Sequence, residues 1–146
     1  MKKPLLISAC LLGLACRYDG QSKPLDRALL DALMARWQLV PVCPEQLGGL
    51  ATPRPPSERQ GARVVSRTGA DVTEQYRRGA EQACDVCRLF GCGTALLKAR
   101  SPSCGSGEVY DGSFTGTLTP GDGVTAQALK AQGVRVYVES EIGALL

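Results

Sequence analysis

Histidine is absent from the sequence. Any general base must therefore come from Asp, Glu, Lys, Tyr or Cys, and any metal site must rest on thiolate or carboxylate. Charge of one sign is also missing. The net charge is only +3 and the basic residues are scattered, so the electrostatic footprint of a duplex-binding protein is not there, and a small molecule is the expected partner. No internal repeat or low-complexity tract interrupts the chain, and no apolar run is long enough to span a membrane. With 146 residues, 44% of them apolar, the chain can bury one core but is short for two, so residues 1–146 are expected to form a single compact domain.

What is present in unusual number is cysteine. Seven cysteines, an odd count without the look of a disulfide scaffold, suggest reduced thiols in the cytoplasm, some acting as ligands and others as small buried apolar residues. The N-terminus offers a competing signal. Lys2 and Lys3 followed by an apolar run that ends at Cys16 resemble a short secretory or lipoprotein leader, but Pro4 opens the run and Gly13 stands three residues before the cysteine. The same residues read as a buried first strand, Leu5 to Ser8, leading to Cys10.

Apolar runs alternate with helical periodicity, which predicts an α/β protein with a mostly parallel sheet flanked by helices. Leu25, Leu29, Leu33 and Trp37 recur at helical spacing, and Leu39 to Val42 then form a second strand ending at Cys43. Prolines at 44, 53, 55 and 56 predict a long irregular loop from Pro44 to Gly61 lying over the site, followed by a short strand near Arg63 to Val65. Asp71 with Glu74 resembles a capping box, opening a helix whose apolar face carries Val72, Tyr76, Ala80, Cys84 and Cys87 and which stops at Gly91. A strand from Thr94 to Lys98 is expected next. Beyond it come a Gly-rich stretch with a turn at Asp111 and Gly112, a helix capped by Asp122 and closed by Gly133, and a last strand from Val134 to Val138.

Three cysteines share one context: Cys10, Cys43 and Cys104 each lie at or just beyond the C-terminal end of a predicted strand. In an open parallel sheet those ends face a common crevice, where ligands bind. Three thiolates suffice to hold a [4Fe–4S] cubane with one iron not bound by protein, and such a vacancy separates a catalytic centre from a closed electron carrier. Cys84, Cys87 and Cys92 have a more conspicuous spacing. Cys84 and Cys87, however, continue the face set by Tyr76 and Ala80 at a helix C-terminus, where the dipole does not favour thiolate, so core packing is expected. Cys16 is either a neighbour of the ligands or simply buried. Near the three proposed ligands, Glu45, Ser101 and Ser103 are able to do proton chemistry. Gly105, Ser106 and Gly107 would let backbone amides turn toward an anion.

At these residues the sequence resembles the bacterial thiouracil desulfurase family. The resemblance rests on SACLLG at 8–13, CRYDG at 16–20, Cys43-Pro-Glu45, GGL at 48–50 and Pro53-Arg54. It continues through GADVT at 69–73, Leu97-Lys98, SPSCG at 101–105, Tyr110-Asp-Gly112, Phe114 and GVTA at 123–126. It implies a single Rossmann-like domain with a [4Fe–4S] cluster on Cys10, Cys43 and Cys104, a catalytic pair at Glu45 and Ser101, and non-redox desulfuration of a thiolated pyrimidine whose sulfur binds the open iron. Three other classes compete on the residues alone: a zinc-thiolate hydrolase on the same ligands, an iron–sulfur electron carrier, which Cys16 would complete, and a non-enzymatic sensor. Oligomeric state is not legible.

Overall fold

The computed structural model describes residues 1–146. Four strands, β1 (Lys3–Ser8), β2 (Trp37–Val42), β5 (Thr94–Leu97) and β8 (Arg135–Val138), form one sheet in the order β2-β1-β5-β8. All three pairings are parallel. β1 is central because nothing in it tolerates water: Leu5, Leu6 and Ile7 are each 0% exposed. Burial of each such side chain contributes roughly 1.5–3 kcal/mol. β2 is an edge strand, which is why Pro41, lacking an N–H, can sit inside it opposite Ile7.

Strand alternation divides the core between two faces. Leu5, Ile7 and Leu96 point to the side of Leu33 on α1 (Arg27–Arg36) and of Ile142 and Leu145 in the C-terminal 3₁₀ turn (Glu139–Leu145). Leu6, Ala95 and Leu97 point the other way, toward Cys84 and Cys87 of α3 (Thr73–Phe90) and Ala126 and Leu129 of α4 (Val124–Ala131). The expected α/β class and parallel sheet are thus present. So is the apolar face of α3, with Tyr76, Ala80, Cys84 and Cys87 all buried and Gly91 ending the helix in a left-handed conformation.

Several local expectations need correction. The segment from Pro44 to Gly61 is not irregular throughout: Pro44 starts a helical turn, α2 (Pro44–Leu47), and Ser57–Gln60 is a strand, β3. Proline is tolerated in a first helical turn because its missing N–H has no intrahelical partner there. β3 pairs antiparallel with β4 (Arg63–Ser66). A second ribbon, β6 (Glu108–Tyr110) with β7 (Leu118–Pro120), occupies the Gly-rich stretch. Asp71 does not make a capping box; its Oδ1 accepts from the backbone and hydroxyl of Thr73, and Glu74 pairs with Arg77. Nor does Asp122 cap α4, since its Oδ1 is taken by Gly107 N and Lys130 Nζ.

Two glycines fix α2 against α3. A Cβ on Gly48 would lie 1.9 Å from the Gln75 carbonyl oxygen, and one on Gly79 would lie 1.9 Å from that of Pro44. Only bare backbone permits this approach. The contact matters because α2 carries Glu45 immediately after Cys43 and Pro44, while α3 carries Tyr76.

Candidate active site

The strands β1 and β5 diverge to opposite neighbours, so the crevice beyond their C-terminal ends is the switch point where an open parallel sheet binds ligands. A cavity of about 420 Å³ opens there, and Cys10, Cys43 and Cys104 all line it, together with Cys16, Glu45 and Ser101. Cys10 sits in the 3₁₀ turn that continues β1, Cys43 directly follows β2, and Cys104 lies on the turn after β5. The sequence-based grouping is therefore reproduced in space.

Burial pushes the Cys10 thiol up to about 11, opposed by the ammonium of Lys98 and reinforced by the Cys43 thiol. Cys104 is raised further by burial, against a hydrogen bond from Ser8. Cys16 is pushed up to about 12 by burial and then by its contact with Cys43. Thiols in this state ionise when a cation takes the proton's place, which is how metal binding and deprotonation are coupled. Lys98, held by Glu139 at 2.8 Å, and Arg54 supply positive charge at the same cavity. No group of three or more thiols and carboxylates is gathered closely enough to hold a single metal ion. A tetrahedral zinc site would need sulfurs only about 3.8 Å apart. The donor set, soft thiols lining one cavity, fits an iron–sulfur cluster.

Glu45 is held asymmetrically. Its Oε2 accepts from Arg54 Nε at 3.0 Å, from Arg54 Nη2 at 2.9 Å and from the Tyr76 hydroxyl at 3.0 Å. Its Oε1 has only the Ser101 hydroxyl, at 3.5 Å. One oxygen is thus an anchor and the other is available to a ligand. Arg54 is itself fixed, donating to the Cys16 and Ala51 carbonyls and to Thr52 Oγ1. The Cys43 thiol also faces the Cys16 carbonyl, at 3.7 Å.

Ser101 has two duties. Its Oγ accepts the backbone amides of Ser103 and Cys104, each at 3.1 Å, so it shapes the turn that presents Cys104 while its proton points to Glu45. Ser103, by contrast, is turned away, fully buried with its Oγ 2.7 Å from Thr125 Oγ1. The amides of Gly105 and Gly107 are also spent, on the Ser101 carbonyl and on Asp122, and are not free for an anion.

Sequence reasoning did not assign Arg54 or Tyr76 to the site. In the sequence Tyr76 stands only on an apolar helix face, although a phenol in a buried face needs a hydrogen-bond partner, and that need is the available signal. Cys84, Cys87 and Cys92 lie away from the cavity in the core behind the sheet, with the Cys87 thiol on the Cys92 carbonyl at 3.2 Å.

A parallel sheet with thiols and an anchored carboxylate lining a cavity at its switch point defines a Rossmann-like α/β protein whose candidate site is rich in cysteine. The chain belongs to the 2-thiouracil desulfurase family, whose model matches residues 5–141. It is 39% identical to the uncharacterised protein YbbK of Bacillus subtilis (strain 168), over 97% of this chain and 99% of the relative. It is also similar to a solved structure of the [4Fe-4S]-dependent thiouracil desulfidase TudS. Identity is 49% and the TM-score 0.94, with 99% of this chain and 95% of that one covered.

Proposed function

We propose that this protein removes sulfur from a thiolated pyrimidine such as thiouracil, giving the oxo base and sulfide without net redox change. A [4Fe–4S] cluster would be held by Cys10, Cys43 and Cys104, leaving one iron free of protein ligands. The observation that supports this reading most is the shared cavity: three thiols from the segments that follow β1, β2 and β5 line it with Glu45, whose Oε2 is anchored by Arg54 and Tyr76 while Oε1 has only Ser101. When bound, such a cluster supplies a Lewis acid toward the thiocarbonyl sulfur.

The chain's own residues then divide the remaining work. Glu45 Oε1 takes a proton from the water that attacks the C–S carbon and passes one to the departing sulfur. Ser101, already a donor toward Oε1, swings its proton to the developing tetrahedral centre. Arg54 and Tyr76 keep Oε2 occupied so that the carboxylate cannot rotate away. The pyrimidine carbon gains oxygen and loses sulfur, and the protons balance as water is consumed and hydrogen sulfide leaves. Seven unpaired cysteines support a reducing, cytoplasmic setting. No helix is long and apolar enough to cross a membrane. We read residues 1–146 as one working unit with a small-molecule substrate and no duplex nucleic acid.

The test is anaerobic incubation with 2-thiouracil and with 4-thiouracil, quantifying sulfide and oxo base for the wild type and Glu45→Gln. Equal sulfide and oxo base are expected, with turnover falling on the order of 10²-fold in the variant while its iron is retained. Iron-loaded wild-type protein that releases no sulfide from either compound would overturn the proposal.

A further inference from the structure

Phe114 lines the same cavity as the cysteines and has a φ of 58°. Bulky L residues rarely adopt this left-handed region, and they persist there only where the surroundings over-determine them. Those surroundings are visible. Glu58, 9% exposed, directs Oε1 at two amides of the turn, Gly112 N at 2.9 Å and Phe114 N at 3.1 Å. Gln60 Nε2 donates to the Gly112 carbonyl at 3.0 Å. Gly112 itself has a φ of 93°, and a Cβ there would lie 2.7 Å from the Arg59 carbonyl oxygen, so the turn is docked tightly on β3. The Arg67 guanidinium lies over the Phe114 ring, 5.7 Å from its centre, and Arg67 N is tied to the Pro56 carbonyl at 2.9 Å.

The two ribbons, β3–β4 and β6–β7, thus cooperate to hold one phenyl ring at the cavity. A buried carboxylate is committed to that turn, and the backbone is strained to place the ring. Nothing in the proton chemistry uses it. A rigid aromatic face beside a reactive cavity is the element that binds flat heterocycles, because every nucleobase has a π-face to stack.

We propose that Phe114, with the Arg67 guanidinium against one face of its ring, is the platform whose other face or edge receives the ring of the substrate, so that the site selects thiocarbonyls carried on a planar heterocycle over acyclic ones. This rests on the desulfuration reading and adds a specificity-determining residue to it. Phe114 takes no part in proton transfer, so its loss should be felt in KM and not in kcat.

The experiment compares iron-loaded wild type, Phe114→Leu and Phe114→Tyr with 2-thiouracil and with thiourea, which carries the same thiocarbonyl without a ring. Thiourea is followed as a substrate or, without turnover, as an inhibitor. Phe114→Leu is expected to raise KM for 2-thiouracil about tenfold or more, with kcat changed less than about threefold, thiourea affinity unchanged and Phe114→Tyr close to wild type. Iron content and melting temperature monitor folding. If Phe114→Leu loses iron, Phe114→Gly, which the left-handed turn accommodates, takes its place with the same expected KM shift. An unchanged KM for 2-thiouracil, or an equal loss for thiourea, overturns the stacking role while leaving desulfuration intact. Iron-loaded wild type that is inactive on 2-thiouracil overturns both.

Discussion

The Tyr76 hydroxyl donates to Glu45 Oε2 at 3.0 Å across 31 residues of chain. Burial first, and then the carboxylate beside it, push the Tyr76 phenol up, so it remains a proton donor at any working pH. With Arg54 on the same oxygen, this makes Glu45 a one-sided carboxylate whose Oε1 alone faces Ser101.

Tyr76→Phe is therefore expected to keep its iron, because the ring still fills its place in α3, and to lower kcat by about tenfold, because Oε2 loses one of its holders. Stability should fall by only about 1 kcal/mol, since Arg54 still satisfies the acceptor. Steady-state kinetics with a parallel iron assay check this. Unchanged kcat would mean that Arg54 alone positions Glu45.

Gly79→Ala tests the close approach of α3 to α2. The added methyl meets the Pro44 carbonyl at 1.9 Å, so the helices must separate and carry Cys43 and Glu45 with them. A loss of about 1–3 kcal/mol in thermal unfolding and weakened iron retention are expected. A melting temperature equal to wild type would show that the contact is soft.

The core of the fold was legible because β1, β5 and α3 are buried strongly enough to impose their period on the sequence. The two ribbons were not. Ser57–Gln60 holds no apolar residue at all, and its strand character comes from pairing with β4, a tertiary effect that local patterning does not record. The gathering of the cavity cysteines was legible for the opposite reason. Cys43 directly follows β2 and Cys10 follows β1 after one intervening residue, and a parallel sheet collects whatever follows its strands. Arg54 and Tyr76 reach Glu45 from a loop and from the middle of a helix, and no spacing announces such a meeting. Asp122 shows the converse: it occupies a helix-capping position in sequence, yet Gly107 and Lys130 take its carboxylate.

Cys10→Ser, Cys43→Ser and Cys104→Ser should each abolish iron loading, whereas Cys84→Ala and Cys87→Ala should load normally and cost about 1 kcal/mol of packing. Iron quantification on folded protein separates the two sets. Ser101→Ala should fall between them. Turnover is expected to drop on the order of 10²-fold, and iron to dissociate faster, because the Ser103 and Cys104 amides lose their shared acceptor.

Alkaline stability gives an independent check on the core thiols. Burial pushes Cys87 from the ordinary 9.0 up to about 11. The folded state thus keeps a neutral thiol where the unfolded chain ionises. The stability this thiol contributes is complete below pH 9.0 and is lost as pH rises toward about 11. Denaturant melts of Cys87→Ala across that window should decline less steeply than those of the wild type. Parallel curves would place the alkaline sensitivity elsewhere.

A three-thiolate cluster with one iron left for substrate sulfur would be visible in Mössbauer spectroscopy of ⁵⁷Fe-loaded, anaerobic protein before and after addition of 2-thiouracil. About four irons per chain are expected, with one distinct from the other three and only that one changed by the substrate. Four irons untouched by thiouracil, or a protein that binds stoichiometric zinc and no iron, would rule out an open iron as the sulfur acceptor.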